Sequence, residues 1–224
     1  SMEIGDWNLA NEIRAEIFLP HNVDDQIYCT LTSGRRTEGM SEDDGYRFNA
    51  IATYDAGYAG LDADIAHRRA AMFIKPNYFL IFDELTGEGQ HTYEAFFHFM
   101  PYRVLIDPDT RAVRTGRMTP PNLEILPLIN MTPRLICGQN DPVQGWLAIG
   151  GQDVPAPVAI YKKRATLPFR TGYALVPFTD GTTAGVTSRI TCHDDTWNVR
   201  ITHPEGHTDR IKMDWCDTRG PVLI

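Results

Sequence analysis

Basic charge is scarce in this chain. Lys and Arg number 21 against 29 Asp and Glu, a formal net charge of −8 at pH 7. Gripping a phosphate backbone needs clustered Lys and Arg, so a nucleic-acid partner is excluded. The same balance gives no general pull on a polyanionic sugar. Arg35-Arg36, Arg68-Arg69 and Lys162-Lys163-Arg164 are the local basic clusters, and each reads as a solvated strand end. Long apolar runs are also missing. No stretch approaches the ~18 residues that a membrane span needs, so no membrane partner is expected. No secretory leader is visible, and Ser1-Met2 reads as a cleavage scar ahead of a cloned start. The chain is therefore read as a fragment. Cysteine is sparse: Cys29, Cys137, Cys192 and Cys216 have neither metal-type spacing nor a disulfide-framework pattern, and are expected to be buried free thiols. Gly-x-Ser-x-Gly, the P-loop, the dinucleotide fingerprint and His-Glu-x-x-His are all absent. So are repeats, low-complexity segments and any defensible domain boundary.

Alternation of apolar and polar residues is what the chain does have. His67–Lys75 and Tyr78–Leu85 read as two strands joined by a turn at Pro76-Asn77. Thr86–Gln90 is a Gly-rich turn, and His91–Met100 follows as a third antiparallel strand. In that strand Tyr93, Ala95, Phe97 and Phe99 face one way, Glu94 and His98 the other. Tyr78–Phe82 has no polar face, so both its sides should be covered, which asks for a second layer. Gln26–Thr32 and Tyr46–Tyr58 are further strands. Val104–Ile106 and Ala112–Arg114 flank a hairpin turn. Leu123–Ile129 is a strand broken by Pro127. Val158–Lys162 and Tyr173–Phe178 add two more. Arg189–Trp215 reads as a three-stranded meander with one wet face. Asn8–Ile17 fits a short helix or an opening strand equally well. The fold expected is an all-β antiparallel sandwich of two layers, one domain over residues 1–224, with little helix.

Seven histidines carry most of the candidate chemistry. His67, Asp83, His91 and His98 share the first meander. His91 and His98 differ in strand parity, so one metal ion cannot take both, and no metal site is expected. The plainer reading has His67 and His98 hydrogen-bonded within the sheet and Asp83 capping a strand end near Arg68 or Arg69. His193, His203 and His207 lie near turns and read as exposed. Tyr46, Tyr54, Tyr58 and Trp146 are aromatics of the kind that stack on sugar rings.

HRRAAMFIKPNYFLIFDELTGEGQHTYEAFFHFMP, residues 67–101, resembles the C-terminal β-domain of heparinase II/III-like polysaccharide lyases. The likeness lies in a His-x-Arg, lysine-Pro, aromatic, Asp, His, aromatic-His-aromatic progression. A second block, GWLAIGGQDVPAPVAIYKKRATLPFRTGYALVPF at 145–178, agrees in its Gly-Trp, Pro-Ala-Pro, Leu-Pro and Val-Pro steps. The resemblance implies a bacterial, secreted or periplasmic parent that cleaves uronate-containing polysaccharide by β-elimination. It implies an N-terminal helical toroid as partner, with the sugar in the cleft between. The family's Tyr, His and Asn catalysts lie largely on the toroid. A further His and the metal residues lie in an early region with a His-x-His motif. This chain has neither, so no catalytic residue, metal ligand or cofactor is carried over.

The reading is thus a C-terminal sandwich that supports a catalytic domain and walls its cleft. His67, Arg68, Arg69, His98 and Trp146 are its candidate substrate-binding residues. One rival is a stand-alone carbohydrate-binding module, which an accessible aromatic platform would favour. The other is an autonomous enzyme using His67, His91 or His98, which a pocket holding two of them beside Arg68 or Arg69 would favour.

Overall fold

A computed structural model describes residues 28–30, 47–54, 65–74, 77–179, 181–217 and 220–224. Asn8–Ile17 lies outside them, as do the side chains of Tyr46, Tyr54, Tyr58 and Cys29. The described residues form strands and no helix, and no helix long and apolar enough to cross a membrane occurs among them. In chain order the first strands are β1 (Tyr28–Thr30), β2 (Arg47–Tyr54), β3 (Ala66–Ile74), β4 (Tyr78–Thr86) and β5 (Gln90–His98). Next come β6 (Val104–Ile106), β7 (Val113–Thr115), β8 (Asn122–Pro127) and β9 (Pro133–Ile136). Two small hairpins follow, β10 (Gln139–Asn140) with β11 (Val143–Gln144), and β12 (Trp146–Ile149) with β13 (Gln152–Pro155). The last strands are β14 (Val158–Thr166), β15 (Phe169–Phe178), β16 (Thr187–His193), β17 (Thr196–Thr202), β18 (Thr208–Asp214) and β19 (Val222–Leu223).

The sandwich has three layers rather than two. An eight-stranded antiparallel sheet, ordered β1-β2-β3-β4-β15-β8-β7-β6, lies in the middle. The sheet β16-β17-β18-β19 packs on one face and the sheet β5-β14-β9 on the other. Strand parity feeds both interfaces. Met72, Leu80, Phe82 and Ala174 point to the first, where they meet Val199, Ile201, Ile211 and Met213. Leu85, Ile125, Phe169 and Tyr173 point to the second, where they meet Tyr93, Ala95, Ala159 and Tyr161. The outer four-stranded sheet keeps the alternation expected of a layer with one wet face: in β17 and β18 buried residues alternate with exposed or half-buried ones.

The central meander is corrected at its third strand. β3 and β4 pair, as Arg69 opposite Asp83 illustrates. β5, however, leaves the sheet at the Gly87–Gly89 turn and pairs with β14 in the next layer. β15 takes the place beside β4. The β14–β15 connection makes the same crossing at the same corner, where Leu167 N–H donates to the Gly89 carbonyl at 3.1 Å. The doubly covered part of β4 is therefore Phe82–Leu85, where all four residues are buried. At Tyr78–Phe82 only one face is fully sealed. Tyr78, Leu80 and Phe82 are buried, but Phe79 is 37% exposed and stacks on Phe73. β14 and β15 also run longer than the apolar residues alone suggest. Lys162–Thr166 and Phe169–Gly172 continue the ladder because β5 and β4 lie alongside them.

Candidate functional site

Asp83 is the centre of the site. It sits in the fully buried part of β4 with no exposed surface. Burying a carboxylate there is costly unless charge and hydrogen bonds answer it. The register supplies both. Arg69 lies directly opposite on β3, and its Nε and Nη2 donate to the two carboxylate oxygens at 2.6 and 3.0 Å. His67, two residues earlier on the same face, places Nε2 2.8 Å from Oδ1. Tyr93 of β5 donates its hydroxyl to Oδ2 at 2.9 Å from the layer above. Tyr173 lies next to it, its hydroxyl 3.5 Å from that of Tyr93. Burial alone would raise the Asp83 carboxyl. The Arg69 charge and the bonds from His67 and Arg69 outweigh it and hold the group well below the usual carboxylate range. Burial pushes both phenols up, Tyr173 to about 12 and Tyr93 further because Asp83 lies beside it, so both stay protonated at neutral pH.

The site opens to solvent at one edge. The Arg69 side chain is 39% exposed and that of His67 is 22% exposed. With Nε2 on Asp83, the His67 ring has Nδ1 without a partner among the described residues. Arg69 keeps a guanidinium N–H beyond the two on Asp83. A cation and an imidazole held by one carboxylate can recognise an acidic or hydroxyl-bearing ligand. They do not by themselves surround a reacting atom with base, acid and charge stabiliser.

The five expected binding residues do not converge. His67 and Arg69 meet at Asp83. Arg68 projects from the other face of β3, where it pairs with Glu84 at 2.8 Å, donates to the Trp215 carbonyl and lies 5.6 Å from the Trp215 ring centroid. Arg170, across β4, bonds the same Glu84 at 2.7 Å and reaches Asp195 at 2.7 Å. His98 stands at the far end of β5, about 26 Å of strand from Gln90 at the corner near His67. It is exposed and stacks on Phe96, and its ring makes no hydrogen bond among the described residues. Trp146 is tied down locally, its indole N–H donating to the Gln139 carbonyl at 2.9 Å. His91 bonds the Glu88 carbonyl at 2.9 Å. His98 is therefore too far along β5 to share a site with His67. Among the described residues no group of three His, Cys, Asp or Glu side chains is arranged to hold a metal ion.

Three further expectations are corrected. Asp83 does not cap a strand end; it lies inside β4 under a second layer. His203 is not an exposed turn residue. It is 9% exposed and bonds Asp209 at 3.0 Å, while His207 takes the other Asp209 oxygen at 2.9 Å. The inward parity of β17 and β18 carries His203 and Asp209 into the layer interface, a signal present in the alternation from Trp197 onward. His193 is exposed as expected. Cys137, Cys192 and Cys216 are free thiols but exposed, Cys192 because the edge strand β16 is poorly covered along its length.

No protein-family model matches the sequence, and no curated protein does. Solved structures do. Heparan sulfate lyase HepC from Pedobacter heparinus is similar at a TM-score of 0.66 and 14% identity, over 85% of this chain and 28% of that one. A heparinase III structure matches at a TM-score of 0.59 and 16% identity, over 82% of this chain and 27% of that one. The chain therefore has the fold of one part of these lyases, and it spans little more than a quarter of their length.

Proposed function

We propose that this chain is the C-terminal β-sandwich domain of a heparinase II/III-like polysaccharide lyase, all 224 residues forming that one domain. The parent would be a bacterial, secreted or periplasmic enzyme that cleaves uronate-containing polysaccharide by β-elimination. The chain supports a separate helical catalytic domain and walls one side of its cleft. The edge bearing His67 and Arg69 is the part turned to the substrate. The observation that carries this reading is the fold match to HepC, nearly complete on this side and partial on the other. The geometry supports it too, since the Asp83 cluster can bind an acidic sugar but lacks the groups for elimination.

The test is an elimination assay on the isolated chain with uronate-containing polysaccharides, read as ultraviolet absorbance of the new carbon–carbon double bond. No turnover is expected. Steady turnover that vanishes in His67→Ala would replace this reading with an autonomous enzyme. The coding sequence upstream of Glu3 tests the rest. A long, predominantly helical segment is expected there. A secretory leader directly before Glu3 would favour a stand-alone binding module.

A further inference from the structure

We infer that the outer face of the four-stranded sheet binds an anionic glycan across a row of three arginines, Arg189, Arg200 and Arg210. The register assembles the row from residues well apart in sequence. Arg189 of β16 lies directly opposite Arg200 of β17, and Arg200 lies directly opposite Arg210 of β18. With strands about 4.8 Å apart, the row is about 10 Å long. The same face continues on either side as Thr191-Asn198-Lys212 and Thr187-Thr202-Thr208. These three rows hold four cations and no carboxylate, in a chain of net charge −8. Lys212 reaches Asp214 at 3.6 Å, beyond the rows, which leaves the arginines without a counter-charge.

This face is open. The three arginines are exposed, as are Thr191 and Asn198 beside them, while the alternate residues Val199, Ile201 and Ile211 point inward to the core. No guanidinium of the row has a partner among the described residues. A depression of about 310 Å³ lies over them, bordered by Thr191, Asn198 and Ile224. Like charges directly opposite one another destabilise a sheet, so folding does not account for the row. Charge on an edge strand repels other edges, which suits Arg189, but Arg200 stands on β17 with a neighbour on each side. Guanidiniums bind carboxylates and sulfates in a bidentate manner. Three in line, flanked by hydroxyl and amide groups, match a chain that carries acidic and hydroxyl groups together. A protein partner is the poorer fit, since no residue lining the depression is aromatic and none forms a sealed apolar pocket for an anchor. The four- and eight-stranded sheets separate this face from the Asp83 cluster, so it is a second site and not an extension of the first.

The choice of a glycan rests on the polysaccharide reading above, whereas the location does not. The experiment is a titration of the chain with a hexagalacturonate, followed by backbone amide shifts and calorimetry. Maltohexaose is the neutral control and hexaglutamate the acidic peptide. Saturable binding is expected, with shifts centred on Arg189, Asn198, Arg200 and Arg210, weakening as salt is added. Arg200→Thr and Arg189→Thr should each weaken it roughly ten-fold, the size of one charge-assisted contact. Neither should lower the melting temperature, because each relieves a like-charge contact and threonine suits a strand. Shifts confined to His67 and Arg69 would overturn this inference and leave the proposed function standing. Equal binding of maltohexaose or hexaglutamate, no binding at all, or unchanged binding in the two variants would also overturn it. A melting temperature lowered in both variants would mean that the row serves the fold, and would overturn it too. Turnover of polysaccharide by the isolated chain would instead sink the proposed function, with this face unaffected.

Discussion

Tyr78 donates a 2.8 Å hydrogen bond to Asp209 from across the interface between the eight-stranded and four-stranded sheets. The same carboxylate receives His203 and His207, so one buried group ties the first residue of β4 to the β17–β18 hairpin. Burial works to raise the Asp209 carboxyl, but the bonds from Tyr78, His203 and His207 outweigh it and lower the group.

That arrangement makes stability pH-dependent in a definite sense. A carboxyl lowered by folding stabilises fully above its unfolded pKa and loses that contribution as pH falls through its folded one. The gap in unfolding free energy between the native chain and Asp209→Asn should shrink as pH falls below about 4. Tyr78→Phe should cost about 2 kcal/mol at pH 7. Urea unfolding across the range checks both, and a gap that widens in acid would contradict the assignment.

Asp83→Ala should be more damaging. It strands the Arg69 charge and removes the acceptor of Tyr93. About 3 kcal/mol is expected, the low end for breaking a buried pair, because Arg69 keeps part of its hydration. His67→Ala removes one donor and should cost about 1 kcal/mol. Equal losses in the two variants would mean that His67, not Arg69, balances the carboxylate.

Phe97→Ala should cost about 3 kcal/mol. Its ring meets Tyr173 at 4.9 Å and Tyr161 at 5.9 Å, both edge-on, so the truncation opens the second core between two buried phenols. Chemical denaturation measures this directly. A neutral result would mean that the core closes around the missing ring.

Gly145 and Gly150 offer a matched pair. Both have positive φ, 78° and 59°, so alanine at either is strained by roughly 1–2 kcal/mol. At Gly145 a Cβ would also lie 2.9 Å from Cys137 Cα and 3.0 Å from Gly138 N, backbone that cannot swing aside. At Gly150 it would meet nothing within 4 Å. Gly145→Ala should therefore lower the melting temperature clearly further than Gly150→Ala.

Much of the fold is legible in the sequence because it depends on period-two alternation. Tyr93, Ala95, Phe97 and Phe99 declare the inward face of β5, and Trp197, Val199 and Ile201 that of β17, without reference to any partner. What alternation cannot declare is which strand lies beside which. β4 and β5 read as a hairpin because a Gly-rich turn joins them, yet the same turn serves a crossing between layers. Asp83 and Glu84 break the apolar run and so suggest a strand end. They are buried because Arg69, Arg68 and Arg170 stand opposite, pairings that only the register reveals. The candidate site was half legible for this reason. His67, Arg69 and Asp83 were visible as residue types, but Tyr93 joined them from the sheet above and Tyr173 from β15, which stands beside β4 where β5 was expected.

The paired crossing at Gly89 and Leu167 also has a consequence for how the chain reaches this state. The segment that looks most local, β4 followed at once by β5, forms no ladder of its own. Neither strand gains its inner hydrogen-bonded neighbour until β14 and β15 have been made, far along the chain. Loop closure must therefore come before most of the enthalpy that rewards it, which slows folding. During synthesis the aromatic edges of β4 and β5 stay unpaired until their late partners emerge. In that interval this chain is most open to strand-edge aggregation.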